Sequence, residues 1–308
     1  MPLSFRNSND RGFAGLDIDG RFLAAVVASN GHIERAESMD LPDGLVRDGE
    51  VADAEGLTAA LKDFVATHNL PKRVRLGVSN QQIVVRVVSL PPIEDRRERE
   101  QAVRFQAAEA IAMPLDEAVL DHQVAGYGVG PDGTPNMRVV LVAARRSMIE
   151  PLVDAVRGAG LKPDGIDLDA FALVRMLPDG DAQEEAARVL CHLGGVTNLA
   201  VTVGNACLFT RPLSVGWDGE GAAGALANEI RLSIDYYMTQ PDAKPVHDVV
   251  VSGPGSKDEE LVAAIGEHAG MPVVVAEPLR GLDASALSAD EDPRRYTVAA
   301  GLALGATA

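Results

Sequence analysis

Two stretches of this chain share one plan, and that plan limits the fold more than any other feature. The segment GLDIDGRFLAAVVASNGHIERA near the start and VLCHLGGVTNLAVTVGNACLFTRP from Val189 to Pro212 are built alike. Each runs an apolar strand into a glycine turn, a small-residue strand, an Asn/Gly turn and a return strand. In both, the turn asparagine stands 13 residues beyond a polar residue near the end of the first strand: Asn30 after Asp17 (30 − 17) and Asn205 after His192 (205 − 192). Glycine at such turns supplies backbone conformations that a Cβ forbids. Two copies of one unit predict two related lobes.

With 308 residues the chain can bury two such lobes. It is 46% hydrophobic but only 4% aromatic, with a single tryptophan, Trp217, so the core must be Val, Leu, Ile and Ala. Buried aliphatic strands of this kind belong to α/β architecture. A formal charge of −17 repels phosphate backbones and anionic headgroups, which sets aside nucleic acid and an electrostatic membrane role. Arg96, Arg97, Arg99 and Arg104 do not reverse this, because they are interleaved with Glu94, Asp95, Glu98 and Glu100 as on a solvated helix face. Only Cys191 and Cys207 are present, which fits a reducing compartment. No run of about 18 uncharged apolar residues occurs, and MPLSFRNSNDRG lacks a signal-peptide core, so a soluble, cytoplasmic protein that does not span a membrane is expected.

Helical periodicity is expected over 53–68, where Leu57, Ala60, Leu61, Phe64 and Val65 share one face. A strand over 74–79 and a β-rich run over 83–90 follow, closed by Pro91-Pro92, which cannot continue a ladder. Beyond that boundary the pattern predicts a helix over 101–113, with Asp95 and Glu98 as a weak start signal, and strands over 119–125 and 137–144 around a Gly/Pro loop. A helix capped by Ser147 and ended by Gly160 completes this block. A helix over 168–177 and an acidic linker over 178–185 lead to the second repeat. After it come helices over 225–237, 258–269 and 296–304 and strands over 248–252 and 272–275. The expected division is a first lobe over 1–89 and 165–187, an inserted subdomain over 90–164, and a second lobe over 188–308 with 222–242 as a small helical part.

A strand, a glycine turn and a strand can bind phosphate, because backbone N–H groups freed at the turn face the anion. The first repeat offers Asp17, Asp19 and Gly20, and the second Gly194, Gly195 and Thr197. A third element is the strand ending in Gly253-Pro254-Gly255 before a helix. A nucleotide held between two lobes by all three is the actin-like arrangement, with Asp17 as a Mg²⁺ ligand through water. Other chemistry finds no support: the histidines at 32, 68, 122, 192, 247 and 268 have no paired metal spacing, and Walker A, H-E-x-x-H and G-x-S-x-G motifs are absent. Asp167, Asp169, Arg145 and Arg146 read as turn and surface residues.

Longer segments resemble the PilM family, the actin-fold cytoplasmic proteins of type IV pilus assembly, which are themselves similar to FtsA. They are LPPIEDRREREQAVRFQAAEAIAMPLDEAVLDHQV (Leu90 to Val124), GLKPDGIDLDAFALVRML (Gly160 to Leu177), LFTRPLSVG (Leu208 to Gly216), EIRLSIDYY (Glu229 to Tyr237), VVVSGPG (Val249 to Gly255) and AAGLALGA (Ala299 to Ala306). The resemblance implies an α/β, actin-like (ribonuclease H-like) two-lobed fold with an inserted FtsA-type subdomain, ATP with Mg²⁺ as cofactor, and Glu229 near the adenine. It further implies a scaffold at the inner face of the cell membrane that takes the N-terminal tail of a PilN-type membrane protein. The groove for that tail is expected at Val84, Val85, Arg86, Val87 and Phe105; other pilus assembly proteins and a second copy of the chain are further implied partners.

This chain departs from the family pattern where the reaction would occur. Arg21 and Ala24 replace an expected hydroxyl residue and lysine, His192 replaces an Asp, and Leu232 replaces an Arg, with Arg231 turned about 100° away on the helix. An imidazole is a poor ligand for a hard cation, so efficient hydrolysis is not expected. The alternative, an actin-fold ATPase or sugar-kinase-like phosphotransferase, would need carboxylate Mg²⁺ ligands from both loops. An FtsA-like membrane-tethered filament is disfavoured, because Tyr296 to Ala308 carries no basic amphipathic tail.

Overall fold

A computed structural model describes residues 13–130, 133–177, 186–240 and 243–305. The acidic linker expected over 178–185 lies outside the described residues. By internal contacts the chain divides into two units, residues 81–150 and the remainder.

The larger unit begins with the first repeat. Strands β1 (Phe13–Ile18), β2 (Phe22–Ser29) and β3 (His32–Asp40) form an antiparallel meander. A two-stranded ribbon of β4 (Val46–Arg47) and β5 (Glu50–Val51) leads into helix α1 (Ala54–His68). The Asp53 carboxylate caps α1 by accepting the Gly56 N–H at 2.9 Å, and Asn69 ends it in the left-handed region. β6 (Arg73–Val78) then lies parallel to β1.

The unit over 81–150 holds β7 (Val84–Leu90), α2 (Arg96–Ala110), β8 (Ala118–Val129) and β9 (Pro135–Arg145) in a sheet of order β7-β9-β8. Val103 and Ala107 of α2 pack on Met137, Val139 and Leu141 of β9. By contacts this unit begins at Gln81, and β7 pairs with β9 inside it. Helix α2 begins at the expected start signal, where the Asp95 carboxylate caps it by accepting the Glu98 N–H at 2.9 Å, and ends at Ala110, three residues before the expected 113. The Gly/Pro loop is also shorter than expected, since β8 runs on to Val129 past a bulge at Gly126.

Helix α3 (Arg146–Gly158) crosses from one unit into the other, so residues 151–164 belong to the larger unit and not to the insertion. β10 (Lys162–Leu168), which periodicity missed, pairs parallel with β6, and α4 (Asp169–Met176) follows it.

The second repeat folds as β11 (Ala187–Leu193), β12 (Thr197–Val203) and β13 (Ala206–Leu213), again an antiparallel meander. Then come α5 (Ala222–Met238), β14 (Val246–Ser252) parallel to β11, a 3₁₀ turn over Pro254–Lys257, α6 (Glu259–Ala269), β15 (Val273–Val275) and α7 (Thr297–Leu304). The two five-stranded sheets have matching orders, β3-β2-β1-β6-β10 and β13-β12-β11-β14-β15, each a meander extended by two parallel strands. The expectation of two related lobes is met at the level of strand order and direction.

Two helices cross at the centre and tie the lobes together. Ala170, Leu173 and Val174 of α4, which follows the first sheet, pack on Leu190 and Ala200 of the second. Ala299, Ala300 and Ala303 of α7, which follows the second sheet, pack on Ala24 and Val26 of the first. Their backbones nearly touch: a Cβ at Gly301 would stand 2.1 Å from the Ala172 carbonyl oxygen, and one at Gly15 would stand 2.0 Å from that of Ala299. Only glycine permits either approach.

Candidate functional site

Within the larger unit a small cleft, partly open to solvent, lies between the two repeats. Asp17, Asp19, Gly77, Ser79, Asp169, His192 and Asn198 are among the residues lining it. The two glycine turns meet there. The Asp19 carboxylate of the first accepts the Gly195 N–H of the second at 2.5 Å, and a Cβ at Gly194 or Gly195 would stand 2.5 or 2.2 Å from Asp19.

Three carboxylates share this space. Burial raises Asp17 well above the usual carboxylate range, helped by the nearby charges of Asp169 and Asp19. Burial raises Asp169 to about 8, with Asp19 and Asp167 adding repulsion. Asp19 rises to about 6 through burial, held back by the N–H groups of Gly195 and Arg21 that donate to it. Burial and mutual repulsion thus favour the neutral carboxyl over the carboxylate at both Asp17 and Asp169. The Asp169 carboxyl sits where Gly77 leaves room, since a Cβ there would stand 2.2 Å from its Oδ1. That Oδ1 and the Ser79 Oγ, both lining the cleft, are buried without a hydrogen-bond partner, as is the Thr197 Oγ1.

His192 ends β11 beside them. Its Nδ1 is 3.0 Å from the Ser252 Oγ at the end of β14, and burial pushes the imidazole down to about 4, so it is neutral. A neutral ring bonded to a hydroxyl is a poor ligand for a hard cation.

Gly253 takes φ +82, and a Cβ on it would strike the Leu193 carbonyl oxygen at 2.8 Å and the His192 ring at 2.9 Å. Gly255 lies under the indole of Trp217. Gly20, at φ +98, makes the first turn. Glu229 does not line the cleft; it is paired at 2.8 Å with Arg211, the residue after Thr210 on β13. Asp167 and Asp169, read from sequence as turn residues, separate: Asp167 pairs with Arg175, while Asp169 turns into the cleft. Sequence reasoning missed Asp169, Ser79 and Asn198. The available signal was the alternation Ile166-Asp167-Leu168, a short strand pattern that ends just before Asp169.

The residues expected to form a partner groove all belong to the unit over 81–150 but do not share one surface. Val84 and Val88 pack in the core beneath α2, with Arg86 on that same face of β7; Val85 and Val87 point to the opposite face, and Phe105 stands exposed on the outer side of α2. Strict alternation along a strand separates them. Among the described residues β7 pairs with β9 alone, which makes it an edge strand of its sheet.

The family model described as type IV pilus assembly protein PilM matches residues 15–219. A solved PilM-PilN type IV pilus biogenesis complex is similar over 96% of this chain and 98% of that chain, with TM-score 0.79 and 23% identity. The cytoplasmic domain of EpsL, an inner membrane component of the type II secretion system of Vibrio cholerae, is similar over 96% and 94%, with TM-score 0.52 and 12% identity. A Bacteroides thetaiotaomicron protein with an actin-like ATPase fold is similar over 87% and 92%, with TM-score 0.51 and 8% identity. The fold is therefore α/β and actin-like. Among the described residues no helix is long and apolar enough to cross a membrane.

Proposed function

The chain belongs to the PilM family of type IV pilus assembly proteins, and from that premise we propose that it works as an adaptor and not as an enzyme. In this reading it receives the N-terminal tail of a PilN-type membrane protein and so sits at the cytoplasmic face of the inner membrane through that partner. The observation that carries the reading is His192: the two-lobed frame is kept, while neutral imidazole bonded to Ser252 stands where a second Mg²⁺ ligand belongs.

The edge of β7 supports a docking site for the tail. An extended segment added there would gain backbone hydrogen bonds, and exposed Val87 would select an apolar side chain on it. Titration of a PilN-type tail peptide into the full chain tests this. Val87→Asp, at an exposed position, should weaken binding at least about tenfold, as a carboxylate in an apolar contact costs on the order of 1–3 kcal/mol; binding of native strength in that variant refutes the site.

The cleft fits the phosphates of a nucleotide better than it fits a metal. Gly194 and Gly195 bring their turn to the cleft, where the Asp19 carboxylate now holds the place a phosphate oxygen would take, and Asp17, Ser79 and Asp169 present buried polar groups there. Mg²⁺ would find only Asp17 and Asp19 on the first loop and no carboxylate on the second. ATP binding without efficient turnover is the expected outcome. Purified protein hydrolysing ATP at about 1 per second or faster, with loss on Asp17→Ala, would restore the enzyme reading.

A further inference from the structure

The glycine cradle of the cleft is already covered by the chain's own side chains. Trp217 lies so close over Gly255 that an added Cβ would stand 2.6 Å from the indole, and its ring N–H donates to the Gly194 carbonyl at 2.9 Å. The Asp19 carboxylate occupies the Gly195 N–H, the group a phosphate oxygen would engage. Arg21, next to that turn in the first lobe, forms a two-pronged ion pair with Asp218 of the second at 2.8 and 3.0 Å. Its guanidinium also lies 5.1 Å from the Trp217 ring centre. Gly219 and Gly221, both at positive φ, follow in the same loop, where glycine lets the backbone re-orient at low cost.

A flat ring against a glycine and an anion on a freed N–H are what the ring and the phosphate of a nucleotide would supply. We propose that Trp217, Asp19, Arg21 and Asp218 form an internal latch: the indole and the carboxylate hold the places of ligand groups, the Arg21–Asp218 pair closes over them, and a nucleotide enters only as the loop around Trp217 swings away. This deepens the nucleotide half of the proposed function and rests on it. The latch links the lobes in the absence of ligand and sets nucleotide affinity by competition.

Trp217 is the single tryptophan of the chain, so its emission reports on the latch directly. Acrylamide quenching and calorimetric titration with Mg-ATP should be run on the full chain and on Arg21→Ala and Asp218→Asn, whose side chains are partly exposed and remote from the core. Mg-ATP should raise quenching of the native chain. Both variants should show higher quenching without ligand and bind Mg-ATP about five- to tenfold tighter, the scale set by one exposed ion pair and one cation–π contact. Equal affinity in all three proteins, or quenching unchanged at saturating Mg-ATP, overturns the latch and leaves the nucleotide site standing. No binding in any of the three overturns both.

Discussion

His192→Asn isolates the chemistry of the second loop in one number. The imidazole is shifted by burial from 6.5 to about 4, and it touches Ser252 through Nδ1. Because the folded value is lower, the unfolded chain binds the proton more tightly, so this group's contribution to stability is complete above the unfolded value of 6.5 and is lost as pH falls toward the folded value. Between pH 7.5 and pH 5 the loss amounts to about 1.4 units, or about 2 kcal/mol at 1.36 kcal/mol per unit. Asparagine does not titrate, and its amide reaches the position of Nδ1, so the Ser252 contact survives. Urea unfolding of both proteins at half-unit pH steps is the assay. Acidification also protonates the carboxylates of the cleft, but that change is common to the two proteins and cancels in their difference. The variant should gain about 2 kcal/mol on the native chain as pH drops from 7.5 to 5. A difference that stays flat within about 0.5 kcal/mol would mean that His192 takes up its proton in the fold as readily as in water, and the account of the second loop would fail.

Three further outcomes can be checked in the same unfolding assay. Asp169→Asn should be more stable than the native chain above pH 8 and should lose part of the native decline in stability between pH 4 and pH 8. The reason is that a carboxyl raised to about 8 stabilises the fold fully only below its unfolded value and progressively less as pH climbs. Gly301→Ala should cost about 1–3 kcal/mol, because its Cβ would meet backbone of α4 at 2.1 Å and neither helix can yield alone. Asp53→Ala should cost about 1 kcal/mol by leaving the Gly56 N–H of α1 without its cap, with no change in Mg-ATP affinity.

The sequence by itself determined the doubled plan. Glycine turns at matched positions and the 13-residue spacing set two meanders, and helical periodicity and capping residues such as Asp53 and Asp258 set α1 and α6, because those signals are local. What depends on distant partners was not legible in it. Strand β10 carries Pro163 and Gly165, which mask its short alternation at Ile166-Asp167-Leu168, and it pairs along the parallel edge that β6 offers. β7 reads the same whichever sheet it joins, and only its register with β9 placed it in the unit over 81–150. Asp169 reads as a turn residue in the sequence, because the space its carboxyl fills is left by Gly77, 92 positions earlier (169 − 77). The latch belongs wholly to tertiary structure, since Arg21 and Asp218 are 197 positions apart and meet only because the two repeats face each other across one cleft. Local free energies write turns, caps and periodic faces into short stretches of chain, whereas the burial of a charge and the closing of a cleft are settled by which surfaces the folded lobes bring together.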